Sequence, residues 1–208
     1  MSARIAVLVS GGGTNLQALI DAQQRGELGG GEIVAVISST AGAYALERAK
    51  NANIPGFVLP RKDFDSNRAM TVALVELLKD LKIDLIVLAG CMVIFTEELV
   101  QAYPNAIMNV HPALIPSFCG PGYYGLRVHE EALKYGVKLS GATVHFVSEE
   151  CDGGPIIAQR SVEVRTDDTP ETLQKRIMEQ AEWKLLPEAV KLFCEGRITV
   201  EGRTVIIR

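Results

Sequence analysis

The stretch Arg4-Ile-Ala-Val-Leu-Val9-Ser10-Gly11-Gly12-Gly13-Thr14-Asn15 decides the fold. After Arg4, residues 5–9 are aliphatic without polar alternation, the pattern of a strand buried on both faces. Three glycines break it, and from Thr14 the apolar positions Leu16, Leu19 and Ile20 recur at helical spacing. A doubly buried strand feeding straight into a helix through glycine opens a parallel α/β sheet. The alternation continues outward. Residues 33–37 read as a strand, 43–52 as a helix, 56–59 as a short strand and 66–81 as a longer helix. The run 83–89 is a further apolar strand, Thr96 caps a helix through 102, and 106–110 is strand-like. The expected class is α/β, with a doubly wound, mainly parallel, Rossmann-like sheet and helices on both faces.

Beyond residue 110 the pattern changes. Residues 111–125 are rich in Pro and Gly, a length of irregular chain that more often serves a function than merely connects. A helix over 127–135 precedes strands over 141–147 and 155–164, joined by the loop 148–154. Thr169-Pro170 opens a long amphipathic helix, which Pro187 is expected to divide. A hairpin centred on Glu201-Gly202 closes the chain. With no repeat, linker or low-complexity stretch, residues 1–208 are expected to form one domain of two halves, 1–110 and 111–208.

Composition narrows the function. At 208 residues and 48% hydrophobic content the chain can bury a core without a disulfide or metal staple. Lys+Arg 21 against Asp+Glu 25 gives a net charge of −4, which argues against a nucleic-acid or anionic-membrane partner but leaves room for a small-anion site. The longest apolar runs are about half the ~20 residues of a membrane span, and the glycines at 11–13 interrupt anything resembling a signal peptide. Cys91, Cys119, Cys151 and Cys194 form no C-x-x-C pair, and the three histidines have no ligand spacing, so a cytoplasmic protein without a metal is expected.

Three places can carry chemistry. The first is the loop Gly11, Gly12, Gly13, Thr14 and Asn15. Glycines let the backbone approach an anion, and a helix N-terminus offers free N–H groups to a phosphate. It lacks the Lys of a P-loop and the third glycine of G-x-G-x-x-G, so a tight turn capped by Thr14 stays open beside the anion site. The second is Asn109-Val110-His111-Pro112 at the end of a strand, where alternation puts Asn109 and His111 on one side. Ligands of open α/β sheets collect at the carboxyl ends of strands. The third is Cys151-Asp152-Gly153-Gly154-Pro155, by itself ordinary turn chemistry. Asp152 beside Cys151 raises the thiol pKa, which disfavours a cysteine nucleophile.

Taken together, Ser10-Gly-Gly-Gly-Thr-Asn15, Leu88-Ala-Gly-Cys-Met92, Asn109-Val-His-Pro-Ala-Leu-Ile-Pro116, Gly141-Ala-Thr-Val-His-Phe-Val147 and Asp152-Gly-Gly-Pro155 resemble, in content and order, the folate-dependent phosphoribosylglycinamide formyltransferases. The resemblance spans roughly residues 4–195. It implies transfer of a formyl group from 10-formyltetrahydrofolate, as co-substrate, to the amine of glycinamide ribonucleotide in purine synthesis. Asn109, His111 and Asp152 would be catalytic, with a protonated His111 and Asn109 donating to the formyl oxygen. Thr143 and His145 would support them. Gly11 to Asn15 would hold the phosphate and Glu182 the ribose. Met92, Val93, Ile94 and Phe95 would line the pterin slot. The halves would then be nucleotide-binding (1–110) and folate-binding and catalytic (111–208). The partners implied are small molecules, with the chain a monomer or homodimer.

Two departures stand out. The family often has Arg where this chain has Val93, and Phe-Asp-Ser-Arg where it reads Phe64-Asp65-Ser66-Asn67 with Arg68 next. Arg68, Arg61 and Lys62 are thus the candidates for the folate's glutamate tail. The loop 118–124 is longer than in some members and reads as a substrate cover; the Ile115-Pro116 bond is left open between cis and trans. The rivals are a formyltetrahydrofolate hydrolase, whose relatives usually carry an extra N-terminal domain, and a methionyl-tRNA formyltransferase, which needs a further domain and a basic surface. A nucleotide-binding oxidoreductase lacks support from the incomplete glycine pattern and from Ile37-Ser38-Ser39-Thr40, where an acidic residue would be needed. A non-catalytic nucleotide-binding module leaves Asn109, His111 and Asp152 unexplained.

Overall fold

In the computed structural model, which describes residues 2–208, one mixed sheet runs through the molecule. Its strands are β1 (Arg4–Val9), β2 (Glu32–Ser38), β3 (Gly56–Val58), β4 (Leu85–Leu88), β5 (Ile107–His111), β6 (Leu139–Phe146), β7 (Ile156–Glu163), β8 (Ile198–Glu201) and β9 (Thr204–Ile207). They lie in the order β3-β2-β1-β4-β5-β6-β7-β9-β8. The first five are parallel, in the doubly wound order 3-2-1-4-5. The helices are α1 (Thr14–Gln24), α2 (Tyr44–Asn51), α3 (Asn67–Asp80), α4 (Glu97–Ala102), α5 (Leu126–Tyr135), α6 (Pro170–Ile177) and α7 (Trp183–Cys194). The α/β class read from the alternation is therefore the fold observed. No helix of the described residues is long and apolar enough to cross a membrane.

Strand alternation sorts β1 onto two cores. Ile5, Val7 and Val9 pack with Leu16, Leu19 and Ile20 of α1 and with Leu185, Leu186 and Ala189 of α7. Ala6 and Leu8 face the other way, onto Leu74 and Leu78 of α3 and Leu99 of α4. This two-sided burial is why β1 carries no polar alternation.

Sense changes at β5. β6 pairs with it antiparallel, in a register that sets His145 opposite Asn109 and Thr143 opposite His111. The β6–β7 turn closes tightly: a Cβ on Gly154 would lie 1.8 Å from the Phe146 carbonyl oxygen, so only glycine fits.

Two local expectations need correction. Thr14 does not cap α1. The cap position is Gly13, at φ 71°, where a side chain would also meet Ala45 Cβ at 2.7 Å. Nor does Pro187 divide the last helix, for it lies inside α7. The interruption comes earlier, as a π-helical turn over Met178–Glu182. A proline ring presses on the carbonyl four residues back, here that of Trp183. Trp183 sits at ψ −10°, well off the helical mean, and the widened turn before it absorbs the ring.

Candidate active site

The order 3-2-1-4-5 leaves a crevice where the chains leaving β1 and β4 part in opposite directions. The first becomes the glycine loop, the second the segment 89–96. Ser10 ties them, its hydroxyl accepting the Met92 N–H at 2.9 Å and lying 2.9 Å from the Ser39 hydroxyl. From this crevice an open cleft of about 800 Å³ runs past the end of β5 and under the loops 120–125 and 147–152.

At one end of the cleft stand Thr14, Asn15 and Glu182. Asn15 Nδ2 donates to Glu182 Oε2 at 2.7 Å, and both residues are buried. Burial pushes the Glu182 carboxyl above its usual range, against the Asn15 hydrogen bond. Asn15 Oδ1 is buried beside that carboxyl without a protein partner. Gly11, Gly12 and Gly13 form the loop just outside. At the other end Met92, Val93, Ile94 and Phe95 make an apolar wall, with Ile94 80% exposed and Met92 55% exposed. Exposed apolar side chains grouped along a cleft suit an apolar ligand face.

Between the ends lie Asn109, His111, His145 and Asp152. His145 Nδ1 pairs with the Phe146 carbonyl at 2.8 Å, which puts its proton there and leaves Nε2 to accept from Asn109 Nδ2 at 3.2 Å. One amide hydrogen of Asn109 is thus used to orient the side chain and the other is free. Asp152 adopts φ 54°, left-handed backbone that Asp tolerates better than most residues, and this turns its carboxylate back over β5 and β6. Its Oδ2 lies 3.5 Å from His111 Nδ1 and accepts the Gly120 N–H at 2.9 Å; its Oδ1 lies 3.6 Å from His145 Nε2. Burial pushes this carboxyl up, but the neighbouring His145 and His111 rings, when they carry protons toward it, and the Gly120 N–H outweigh burial and hold it below its usual value.

Burial pushes the His111 pKa down, and the opposing pull of Asp152 and of the Phe118 carbonyl does not compensate. Nε2 pairs with that carbonyl at 2.8 Å, so in the neutral ring the proton sits on Nε2 and the Nδ1 lone pair is turned toward Asp152. Beneath the cluster, fully buried Thr143 donates to the Ala113 carbonyl at 2.7 Å. It also accepts from the Ile115 N–H at 3.1 Å and from Gln159 Nε2 at 3.0 Å, pinning the chain that follows His111. The Ile115-Pro116 bond in that segment is cis.

Arg68 is not brought in. Its side chain is 74% exposed on α3, paired with Glu98 of α4 at 2.5 Å, and it does not line the cleft. Arg61 is bonded locally, to Asn67 and to the Phe64 carbonyl. Cys151 is exposed, its thiol pushed up by burial of its sulfur and by Asp152, the reverse of an activated nucleophile. Sequence reasoning missed His129, which lines the cleft with both ring nitrogens unpartnered and is pushed down to about 4 by burial and by His111. The signal was its place on the buried face of α5 with Val128 and Ala132.

Comparison with known proteins meets this geometry. Residues 3–190 match the family model described as formyl transferase. A phosphoribosylglycinamide formyltransferase of Haemophilus influenzae is 43% identical over 95% of this chain and 90% of its own length. The crystal structure of glycinamide ribonucleotide transformylase 1 from Symbiobacterium toebii superposes with a TM-score of 0.93 at 43% identity, covering 99% of this chain and 94% of that one. A formyltetrahydrofolate deformylase from Pseudomonas syringae shares the fold at a TM-score of 0.88, but at 27% identity and over 66% of its length. The chain belongs to the formyltransferase family, among its phosphoribosylglycinamide formyltransferases.

Proposed function

We propose that the cleft moves the formyl group of 10-formyltetrahydrofolate to the amino group of glycinamide ribonucleotide, through Asn109, His111 and Asp152. The observation that carries the assignment is their meeting midway between an acceptor-lined polar end and an exposed apolar wall. The ribonucleotide lies along the glycine loop, with its ribose hydroxyls toward Glu182. The folate pterin lies on Met92–Phe95, which brings the amine and the formyl carbon together beside β5.

The amine nitrogen attacks the formyl carbon, and the carbonyl electron pair moves onto oxygen. The free N–H of Asn109 stabilises that oxyanion. The attacking nitrogen becomes cationic and must lose a proton. A neutral His111 whose Nδ1 lone pair faces a carboxylate is ready to take it, forming an imidazolium that Asp152 stabilises. Its charge then stands beside the oxyanion. When the carbon–nitrogen bond to folate breaks, the same proton passes to the leaving nitrogen, which restores His111 and balances the reaction. The low resting pKa of His111 therefore suits a proton carrier better than a permanent cation.

The test is a folate-absorbance assay with 10-formyltetrahydrofolate, with and without glycinamide ribonucleotide. Formyl loss should require the ribonucleotide; loss at the same rate without it would make the protein a hydrolase. Asp152→Asn and His111→Asn should each lower kcat by about 10²–10³ and, together, by little more than either alone. Near-normal turnover in either variant removes that residue from the mechanism.

A further inference from the structure

Behind the glycine loop lies a polar arrangement that the chemistry above does not use. A peptide unit is planar and trans, so the carbonyl of one residue and the N–H of the next point in opposite directions. The Gly11 carbonyl accepts the Ala45 N–H at 3.1 Å, the Gly12 carbonyl accepts Arg48 Nε at 2.8 Å, and the Gly13 carbonyl accepts the Gln17 N–H at 2.9 Å. All three are drawn toward α2 or the body of α1. The N–H groups of Gly12, Gly13 and Thr14 are consequently turned the other way, and the loop has open space beside it, since an added Cβ on Gly11 or Gly12 would meet no atom within 4 Å. Arg48 is itself held twice more: Nη1 donates to Gln17 Oε1 at 2.9 Å, and the guanidinium lies 5.0 Å over the Tyr44 ring.

We infer that Arg48 is a positioning residue for the phosphate end of the ribonucleotide, holding the Gly12 carbonyl so that the Gly13 N–H is aimed at the phosphate. The inference rests on the reading of the glycine loop as the phosphate site. Backbone N–H groups hold the Gly11 and Gly13 carbonyls, but with no side chains at 11–13 the plane between Gly12 and Gly13 has no restraint within the loop. The planar guanidinium supplies that restraint from outside, and its charge adds to the positive field of the helix N-terminus.

The experiment compares glycinamide ribonucleotide with its dephosphorylated riboside in steady-state formyl transfer, for the unaltered protein, Arg48→Met and Arg48→Lys. The unaltered protein should prefer the ribonucleotide. Arg48→Met should raise the KM for the ribonucleotide by about ten- to a hundredfold. It should leave kcat at saturation within about threefold, and the KM for the formyl folate and kcat/KM for the riboside should not change. Arg48→Lys should restore only part of the loss, because an ammonium cannot engage the Gly12 carbonyl and Gln17 together in a fixed fork. An unchanged KM in both variants, with discrimination intact in the unaltered protein, overturns the role of Arg48. Full rescue by lysine also overturns it, since charge alone would then suffice. Equal use of riboside and ribonucleotide by the unaltered protein instead removes the phosphate reading, and the role of Arg48 with it. Should Arg48→Met not fold, Arg48→Lys carries the test alone, with a KM raised about three- to tenfold expected and an unchanged KM overturning the idea.

Discussion

Replacing Thr143 with valine keeps shape and volume and removes one hydroxyl. That hydroxyl, itself fully buried, holds the buried Ala113 carbonyl and also the Ile115 N–H and Gln159 Nε2. Gln159 keeps a second acceptor, the Ile115 carbonyl at 2.9 Å, so two backbone groups are left unpaired. Each buried polar group without a partner costs about 1–3 kcal/mol, and for the pair we take about 3 kcal/mol. A chain of this size loses about 2–4 °C of Tm per kcal/mol, so Thr143→Val should melt about 6–12 °C lower. Thr143→Ser, which keeps the hydroxyl and drops a methyl, should lose only about 1 kcal/mol. The fluorescence of Trp183, the single tryptophan, follows the transition. Because Ala113 and Ile115 directly follow His111-Pro112, a loosened segment lets His111 drift, and small misplacements of reacting groups cost up to about 10² in rate. Thr143→Val should therefore also lose at least about tenfold in kcat, and Thr143→Ser much less. If valine proves as stable as serine at this position, the hydrogen-bond account is wrong and Thr143 is there to pack.

Two further outcomes follow from the ionisable groups. Asp168 accepts two bonds from Arg176 and one from the Arg165 N–H, and the Arg176 bond, ahead of the burial that opposes it, holds its carboxyl far below the usual 3.8. A depressed carboxyl stabilises the fold above its unfolded pKa, so the Tm gap between the unaltered protein and Asp168→Asn should be flat from neutral pH to about 4 and close below it. A gap that widens on acidification would contradict this. For Glu182 the sign reverses: its raised pKa means the fold disfavours the charge, so the empty protein should gain stability as pH falls through the folded value. Glu182→Gln should accordingly not lower the Tm at neutral pH, while raising the KM for the ribonucleotide by about tenfold; a large loss of Tm with an unchanged KM would make Glu182 a structural residue only.

The elements of the doubly wound half were legible because each has a one-dimensional signature: aliphatic runs for β1 and β4, helical spacing for α1 and α3, glycine between. Ser66 as the cap of α3 and Thr169-Pro170 at the start of α6 were equally open to reading, since a capping side chain and its target are three residues apart. What escaped depends on partners distant in sequence. Nothing local to Asn15 announces Glu182, 167 residues on. The downward pull on the His111 pKa follows from how deeply the fold buries it, and the Pro187 helix survives because a π turn upstream yields instead. Arg68 illustrates the converse: one position along the chain from the family's arginine, it meets Glu98 on the neighbouring helix, and a register of one residue on a helix is a 100° turn.

The change of strand sense at β5 explains how so short a set of residues makes a site. Had β6 run parallel to β5, the segments bearing Asn109 and His145 would have paired on evenly slanted bonds. Antiparallel pairing instead sets Asn109 against His145 and His111 against Thr143 as directly opposed pairs. One pair meets side chain to side chain, and the other braces the chain after His111. The β6–β7 turn, closed by Gly154 and carrying Asp152 in left-handed backbone, then folds the carboxylate onto both histidines at once. Because side chains alternate with a period of two, a slip of one residue in β6 would turn His145 and Thr143 to the opposite face together. The buried Ala142, Val144 and Phe146 on the core side of β6 oppose that slip. The apolar residues of this strand thus set the catalytic register, and the chemistry of Asn109 depends on packing three residues wide.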